Sequence, residues 1–338
     1  MTREASAPIP ARLVDRFGRA HRDLRVSLTD RCNLRCTYCM PAEGLEWLPS
    51  AEQLTAEEIT RVVRVATQLG ITEVRLTGGE PLIRPDVVDI VARITALPLA
   101  PDMSVTTNGL RLAALAGPLA DAGLARVNIS CDTLSPETFA KLTLRDRLDD
   151  VLAGIAAARA AGLAPIKVNT VLMRGVNDHE AAPLLRWALA EGLSLRFIEQ
   201  MPLDPQHGWN RAMMVTRSEI LEQLQRAGFQ LSAVPGRGSA PAEEFLVDGG
   251  PARVGIVGSV TNPFCDACDR VRLTADGHWR SCLFAHQEAD LRTLLREGAD
   301  DEVLTATMIG EIAAKKRGHG IDDPAFLQPT RPMSAIGG

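Results

Sequence analysis

The stretch "LRVSLTDRCNLRCTYCM", residues 24–40, joins a strand-like run to three closely spaced cysteines. Its first six residues alternate apolar and polar side chains, which is the pattern of a β-strand with one buried face. Cys32, Cys36 and Cys39 follow at once, in the spacing C-x3-C-x2-C. Cysteines clustered in this way indicate metal binding or redox chemistry. We therefore expect a functional loop at the end of this strand.

The composition is typical of a globular protein and excludes several classes of partner. Of 338 residues, 46% are hydrophobic and 23% are charged, which is enough for a proper core. The net charge of -5 argues against a general nucleic-acid or membrane surface. The N-terminus lacks the apolar segment of a signal peptide, and no apolar run reaches the roughly 18 residues of a membrane span. We expect a cytoplasmic protein that binds neither nucleic acid nor membrane.

Strand-like and helical runs alternate over residues 24–202, with six strands in all. The first helical run, 55–70, opens with a capping box formed by Thr55 and Glu58. A weaker helical run after residue 110 is expected to be interrupted at Pro118. The alternation predicts a parallel sheet with right-handed crossovers. Six such units form a partial (β/α) barrel or an open doubly wound sheet, and both bind ligands at the carboxyl ends of the strands.

The chain changes character near residue 215. A capped helical run at 216–228 is followed by short strand-like runs and two further helical stretches. We therefore divide the chain into an N-terminal lead-in (1–23), an α/β region (24–215) and a C-terminal α+β extension (216–338).

The first cysteine set offers three ligands rather than four. Zinc sites of the finger type need four ligands, and the nearest histidine, His21, precedes the strand. Three thiolates on one loop can instead hold three irons of a [4Fe–4S] cluster, and the fourth iron then stays open to a small molecule. The spacing favours this interpretation, while zinc and a redox thiol loop remain alternatives.

The cysteine loop and a glycine turn together resemble the radical S-adenosylmethionine superfamily. Tyr38 is the aromatic residue before the last cysteine, and "LTGGEP" (76–81) matches the superfamily's Gly-Gly-Glu-Pro motif. Taken alone, that turn would be an ordinary connection between strand and helix. The resemblance implies that the open iron chelates S-adenosylmethionine and that its cleavage yields a 5′-deoxyadenosyl radical. It also implies that Gly78 and Gly79 allow close backbone approach and that Glu80 accepts from the methionyl ammonium.

A second set, Cys265, Cys268 and Cys282, repeats the count of three. It suits either a second open-iron cluster or a zinc ribbon. The ribbon needs a fourth ligand from one of four nearby side chains: Asp266, Asp269, His278 or His286. Arg270 and Arg272 are two apart on a strand and share one face, where they suit a phosphate or are ordinary surface arginines.

With both sets, about residues 12–338 resemble the GTP 3′,8-cyclase family (molybdenum cofactor biosynthesis protein A). The matching stretches are "RLTGGEPLIR", "TTNGLRL", "VNISCDTL", "IKVNTVLMRGVND", "RFIEQMP" and "SVTNPFCDACDRVRLTADG". Two residues depart from the family pattern. Asp269 stands where Asn is expected and Gln200 where Leu is expected. Neither alters a proposed ligand, but the charge of Asp269 predicts a weaker triphosphate contact.

The family resemblance implies a fold, cofactors and site residues. The fold is a partial (β/α)6 barrel whose C-terminal extension holds a second iron–sulfur cluster. Two [4Fe–4S] clusters lie at Cys32, Cys36 and Cys39 and at Cys265, Cys268 and Cys282. The residues implied to bind S-adenosylmethionine are Tyr38, Gly78, Gly79, Glu80, Ser130 and Met201. The residues implied to bind the substrate are Arg25, Arg75, Thr106, Lys167, Arg196, Arg270, Val271 and Arg272. The residues implied to be catalytic are Arg25, Lys167, Arg196, Gly337 and Gly338.

The implied reaction converts GTP to (8S)-3′,8-cyclo-7,8-dihydroguanosine 5′-triphosphate, the first step of molybdenum cofactor biosynthesis. The implied partners are a flavodoxin- or ferredoxin-like reductant and the next enzyme of the molybdopterin pathway, and a monomer and a homodimer both stay open. The alternatives are a peptide-modifying radical enzyme with an auxiliary cluster and a zinc-stabilised binding protein without catalysis.

The chain ends in Gly337-Gly338. Taken alone, such an end indicates a disordered tail. The family resemblance implies instead that the tail enters the active site and is needed for activity.

Overall fold

Twelve strands of the described residues, 12–337, form one sheet in this computed structural model. They are β1 (Asp23–Ser27), β2 (Glu73–Thr77), β3 (Asp102–Thr107), β4 (Arg126–Ser130), β5 (Ile166–Val171), β6 (Ser194–Ile198), β7 (Leu231–Ala233), β8 (Glu243–Val247), β9 (Arg253–Val257), β10 (Arg270–Leu273), β11 (His278–Arg280) and β12 (Ala289–Asp290). The spatial order is β12-β11-β10-β1-β2-β3-β4-β5-β6-β9-β8-β7. The sheet therefore has two edges and is open.

The six central strands, β1 to β6, are parallel and adjacent in chain order, as the alternation predicted. This confirms a partial barrel. The C-terminal extension joins the same sheet on both sides, because β10 pairs in parallel with β1 and β9 pairs in parallel with β6. The sequence did not predict this sharing of one sheet. The boundary near residue 215 stays a prediction.

Ten α-helices are seen among residues 12–337. They are α1 (Ala56–Gln68), α2 (Val87–Thr95), α3 (Leu112–Asp121), α4 (Pro136–Thr143), α5 (Leu148–Ala160), α6 (Ala181–Ala190), α7 (Arg217–Arg226), α8 (Leu291–Arg296), α9 (Asp301–Ala313) and α10 (Met333–Ile336). The capping box of Thr55 and Glu58 opens α1 as predicted, and Thr216 and Glu219 cap α7 in the same way. In this part of the chain, each helix falls short of the length and apolarity that a bilayer crossing requires.

The predicted interruption at Pro118 is wrong, because α3 runs through it. Pro118 lies on the exposed side of the helix, where the carbonyl left without a backbone donor can reach water. The opposite side of α3 packs on α5, where Gly154 lies so close to Leu112 that an added Cβ would be 3.1 Å from the Leu112 Cβ. Packing on that side outweighs the proline's local cost.

The two faces of the central sheet differ in polarity. Leu24 and Val26 of β1 are fully buried beneath the surrounding helices, as are Val74 and Leu76 of β2. Because side chains alternate along a strand, the residues between them point to the opposite, concave face. That face presents Arg25 and other polar side chains. The fold therefore places a polar lining inside an apolar shell.

Candidate active site

A cavity of about 300 Å³ lies at the carboxyl ends of the central strands. It brings together most of the residues that the sequence singled out. Those expected at the cofactor are Cys32, Cys36, Tyr38, Cys39, Gly78, Gly79, Glu80, Ser130 and Met201. Those expected at the substrate are Arg25, Arg75, Thr106, Arg196, Arg270 and Arg272. One cavity therefore joins a wall of thiols to a wall of arginines.

The thiol wall is a tight loop directly after β1. The amide of Cys39 donates to the carbonyl of Cys36 over 2.8 Å, and the amide of Leu34 faces the Sγ of Cys32 at 3.5 Å. Burial raises the pKa of Cys32 to about 11 and that of Cys39 to about 12. These side chains are therefore neutral thiols at pH 7 unless a metal takes the place of the proton.

The glycine turn after β2 packs against the backbone of this loop. The amide of Gly79 donates to the carbonyl of Thr29 over 2.8 Å. A Cβ added to Gly79 would lie 2.5 Å from the carbonyl oxygen of Asp30, and Gly78 has a φ of +138°. Both positions therefore require glycine. The structure thus shows the glycine turn in close contact with the backbone that leads into the thiol loop.

Glu80 is 1% exposed and already accepts three hydrogen bonds. Its donors are the Leu82 amide at 2.9 Å, the Thr107 hydroxyl at 2.7 Å and the Asn108 amide at 2.7 Å. Burial raises the pKa of Glu80 to about 7, against the opposing effect of these bonds. A carboxylate offers about four lone-pair sites, so about one remains for a ligand.

Sequence reasoning missed Asp132, which holds the thiol loop from the far side. It accepts from the Tyr38 hydroxyl at 2.7 Å and from the Val171 amide at 2.8 Å. Burial raises the pKa of Asp132 to about 6, although both hydrogen bonds lower it. The residue lies within the quoted stretch "VNISCDTL", but nothing in the local spacing connects it with Tyr38.

The arginine wall follows from strand register. Pairing of β1 with β10 sets Arg25 beside Arg272, and pairing of β1 with β2 sets Arg25 beside Arg75. The carboxylate of Asp23 lies 3.9 Å from both the Arg25 and the Arg270 guanidinium groups. Burial, together with the charges of neighbouring arginines, lowers the pKa of Arg25 and of Arg272 to about 9. Three buried arginines and the half-buried Arg75 surround one carboxylate, an excess of positive charge that suits an anion.

Several polar atoms of the cavity lack a hydrogen-bond partner within the described chain. Three of them are the Nε of Arg25, the Oγ1 of Thr77 and the Oδ1 of Asn169. Buried polar atoms are almost always paired in native proteins. These three are therefore positions at which a bound ligand would complete the bonding. Asn169 was not predicted, although it lies in the quoted stretch "IKVNTVLMRGVND".

Two predicted substrate residues lie outside the main cavity. These two residues are Lys167 and Val271. Lys167 lines a neighbouring cavity of about 290 Å³, and Arg196 connects the two cavities because it lines both. Burial and the nearby Arg196 lower the pKa of Lys167 to about 8. The side chain of Val271 is fully buried within β10. The cationic lining therefore continues from the arginine wall toward Lys167.

The second thiol set lies behind the arginine wall. Phe264 and Leu283, which adjoin two of its cysteines in sequence, line the cavity, whereas its three thiols do not. Burial acts to raise the pKa of Cys268, but Arg270 and Lys315 outweigh it and hold that pKa below the ordinary value. The donor set is three free thiols, as in the first loop.

Three of the four candidate fourth ligands of a zinc ribbon are engaged elsewhere. Asp266 pairs with Arg317, His278 with Asp276, and the ring of His286 faces the Leu327 carbonyl. Within residues 12–337, no three histidine, cysteine, aspartate or glutamate side chains form a site for a single metal ion. Three thiols fit an iron–sulfur cluster, in which each thiolate binds a different iron.

The C-terminal tail reaches the arginine wall. Arg272 donates to the Ile336 carbonyl at 3.1 Å and also to the Gly337 carbonyl. Gly337 has a φ of +70°, and an added Cβ would lie 2.6 Å from the Ser27 hydroxyl. Gly337 is therefore buried in a place that only glycine fits, unlike a disordered tail. Gly338, predicted with it, lies outside the described residues.

Arg331 anchors this tail on the two segments that flank β11. It donates to the Asp276 carboxylate at 2.9 Å and to the Glu288 carboxylate at 3.0 Å. Both carboxyl groups have a lowered pKa; burial opposes the shift, and bonds to cationic partners including Arg331 outweigh it. The tail is thus fixed at residue 331, six residues before Gly337.

Two family descriptions match this chain. Residues 26–188 match the Radical SAM superfamily, and residues 193–321 match the family described as Molybdenum Cofactor Synthesis C. The first match therefore includes the first thiol set, and the second match includes the second thiol set.

Curated relatives match over nearly the whole chain. A GTP 3′,8-cyclase of Streptomyces coelicolor is 60% identical over 96% of both chains. A GTP 3′,8-cyclase of Mycolicibacterium smegmatis is 54% identical and covers 98% of this chain and 93% of its own.

Solved structures resemble the fold at low identity. Streptococcus suis SuiB bound to S-adenosylmethionine matches with a TM-score of 0.59 and 13% identity, over 85% of this chain and 68% of its own. SuiB bound to its precursor peptide SuiA matches with a TM-score of 0.61 and 15% identity, over 89% of this chain and 69% of its own.

Proposed function

This chain belongs to the GTP 3′,8-cyclase family of radical S-adenosylmethionine enzymes, and we propose that it converts GTP to 3′,8-cyclo-7,8-dihydro-GTP, the first step of molybdenum cofactor biosynthesis. The observation that supports this most directly is the single cavity with thiols on one wall and buried arginines on the other. GTP needs both walls, because its triphosphate is polyanionic while its ribose must reach a radical source.

Cys32, Cys36 and Cys39 are proposed to hold the first [4Fe–4S] cluster. Their support is the donor set of three thiols in one loop that lines the cavity. When bound there, the reduced cluster and S-adenosylmethionine supply a 5′-deoxyadenosyl radical that can take the 3′ hydrogen of GTP. The task of the chain is to orient the bound molecules and to exclude water.

The glycine turn and Glu80 are proposed to hold the methionyl end of S-adenosylmethionine. The remaining acceptor site of the Glu80 carboxylate suits an ammonium group. Tyr38, fixed by its bond to Asp132, would border the same molecule together with Ser130 and Met201. The three existing bonds of Glu80 hold its carboxylate rigidly, so little side-chain entropy is lost on binding.

The buried arginines are proposed to bind the triphosphate. Guanidinium groups form paired, charge-assisted bonds with phosphate oxygens. Arg25, Arg270 and Arg272 are buried next to the half-buried Arg75, so an incoming anion relieves the mutual repulsion of these cations. Thr106, Arg196, Lys167 and the backbone of Val271 would extend this contact along the nucleotide.

The second thiol set is proposed to hold a second [4Fe–4S] cluster, at which the guanine base lies. Cys265, Cys268 and Cys282 lie behind the wall that Phe264, Arg270 and Arg272 form. Gly337 and Gly338 are proposed to complete the site from the tail. Holding ribose C3′ near the radical on one side and near guanine C8 on the other is the geometric basis of the reaction.

Partners and setting are proposed on chemical grounds. Cleavage of S-adenosylmethionine needs one electron at a time, so a flavodoxin- or ferredoxin-like protein would supply it. The product would pass to the next enzyme of the molybdopterin pathway. Seven free cysteines suit a reducing compartment such as the cytoplasm. Residues 1–23, 24–215 and 216–338 are proposed as lead-in, barrel and extension.

Anaerobic incubation of the reduced, reconstituted protein with S-adenosylmethionine tests this proposal. We expect 5′-deoxyadenosine and a cyclised nucleotide to form when GTP is added. Formation of 5′-deoxyadenosine that depends on a peptide and not on GTP would favour the peptide-modifying alternative. Colourless protein that contains zinc would favour the binding protein without catalysis.

A further inference from the structure

Lys315 is a buried lysine directly behind the second thiol set. It follows α9 and is 2% exposed. Its Nζ lies 2.7 Å from the Arg270 carbonyl oxygen, 2.9 Å from the His21 Nε2 and 3.8 Å from the Cys268 Sγ. An ammonium group has three N–H donors and no acceptor. The three N–H groups of Lys315 can therefore donate one hydrogen bond to each of these three atoms.

His21 acts as the acceptor that fixes this lysine. Burial, together with the charge of Lys315, lowers the pKa of His21 to about 4. The ring is thus neutral at pH 7, and its Nδ1 faces the Leu13 carbonyl at 3.3 Å. With the proton on Nδ1, the Nε2 lone pair is free to accept from Lys315. The N-terminal lead-in therefore helps to aim the ammonium group.

Arg19 holds the same segment from the outside. It donates to the carbonyls of Lys316 and Arg317 at 2.8 Å each and to the Cys265 carbonyl at 2.5 Å. It also pairs with Asp15 at 2.6 Å. The backbone around Lys315 and the backbone of the thiol loop are thus bound to one guanidinium group. This arrangement fixes the distance between the lysine and the thiols.

We propose that Lys315 is a positioning residue that donates a hydrogen bond to the Sγ of Cys268 and raises the reduction potential of the second cluster. The inference rests on the proposed function, because it requires that cluster. A cluster gains negative charge on reduction, so a nearby cation and a donor to a ligand sulfur both favour the reduced state. Lys315 supplies both from a site beside the substrate wall.

The test measures the reduction potential of the second cluster alone. In the full chain, Cys32, Cys36 and Cys39 are replaced by alanine, so that about four irons remain after reconstitution. Lys315→Met is compared with Lys316→Met, the same change at an exposed neighbour. Lys315→Gln is measured too, since it removes the charge and keeps a donor. Redox titration is followed by electron paramagnetic resonance.

We expect a more negative potential in Lys315→Met, a smaller shift in the same direction in Lys315→Gln, and no shift in Lys316→Met. Unchanged potentials in both Lys315 variants, with iron retained, would overturn the inference and leave the proposed function intact. If the alanine background itself binds no iron, the second cluster is refuted, and the inference falls with it. Should Lys315→Met lose its iron, the potential of Lys315→Gln decides.

Discussion

The two thiol regions contain the same number of cysteines but differ in their electrostatic surroundings. In the first loop, burial together with the nearby Cys32 and Asp132 raises the pKa of Cys39 to about 12. In the second, Arg270 and Lys315 lower the pKa of Cys268 against the effect of burial. Cysteine count alone therefore does not distinguish the two sites. Arg35 lies close to Cys32 in the first loop, but burial dominates there, whereas Arg270 and Lys315 outweigh burial at Cys268, beside a cationic wall that suits a nucleotide.

Removing one cysteine from each set should have the largest effects and should separate the two regions. Cys36→Ala is expected to abolish formation of 5′-deoxyadenosine, because the radical source is lost. Cys268→Ala is expected to abolish the cyclised nucleotide but to retain some cleavage of S-adenosylmethionine. Each variant should hold about four irons instead of about eight. Iron analysis and chromatography measure all three quantities, and cyclised product from either variant would contradict the comparison.

Gly337→Ala tests whether the tail belongs to the second region. The added methyl would clash with the hydroxyl groups of Ser27 and Thr77 and displace the tail. We expect a loss of about 100-fold in kcat, the scale of a small misplacement at an active site. Gly320→Ala is the matched control, because Gly320 also has a φ of +70° but its nearest neighbour, the Asp323 Cβ, is 4.0 Å away. Equal losses in the two variants would show backbone strain instead of a specific tail contact.

Arg331→Met should release the anchor of the tail and have an intermediate effect. We expect a loss of about tenfold in kcat together with faster proteolysis after residue 331, because Gly337 is then less often in place. Arg211→Met removes an exposed pair with Asp322 and serves as the control. Limited proteolysis followed by mass spectrometry reports the tail directly. A tail that stays protected in Arg331→Met would refute the anchoring role.

The smallest predicted effect is the pH dependence that Lys167 gives to GTP binding. Its pKa of about 8 means that its charge is lost as the pH rises through that value. GTP affinity should therefore fall severalfold between about pH 7 and about pH 8.5. Lys167→Arg should remain flat over this range, and calorimetry of GTP binding measures both. Parallel pH profiles in the two proteins would exclude Lys167 as the titrating group.

The same pKa shift has the opposite sign for stability. A lysine that ionises less readily in the folded protein disfavours the native state while it is charged. Lys167 should therefore contribute greater stability to the ligand-free protein as the pH rises from about 8 toward the ordinary lysine value of 10.5. A fall in GTP affinity together with a rise in the free energy of unfolding would identify Lys167 as the titrating group. A group whose deprotonation destabilises the fold would lower both quantities.

Local patterns predicted the parts of this molecule that depend on near neighbours in sequence. The capping box at Thr55, the parallel order of β1 to β6 and the thiol loop after β1 all follow from spacings of a few residues. The arginine wall could be predicted in part, because Arg270 and Arg272 share a strand face. That spacing does not predict which strands lie next to β10 in the sheet.

The parts that sequence reasoning missed depend on contacts between distant segments. Tyr38 meets Asp132, Lys315 meets Cys268, and Arg331 meets Asp276, in each case across many tens of residues. Such contacts follow from strand order and from the path of the tail, neither of which has a local signature. The joining of β9 and β10 to opposite sides of one central sheet has the same origin.

Isotope transfer from GTP tests the central claim, that one cavity holds the nucleotide with its ribose C3′ facing the radical source. GTP deuterated at the 3′ position is incubated anaerobically with S-adenosylmethionine and the reduced protein, and the 5′-deoxyadenosine is analysed by mass spectrometry. The account predicts that each 5′-deoxyadenosine gains one deuterium. Formation of 5′-deoxyadenosine without deuterium, alongside cyclised product, would contradict it.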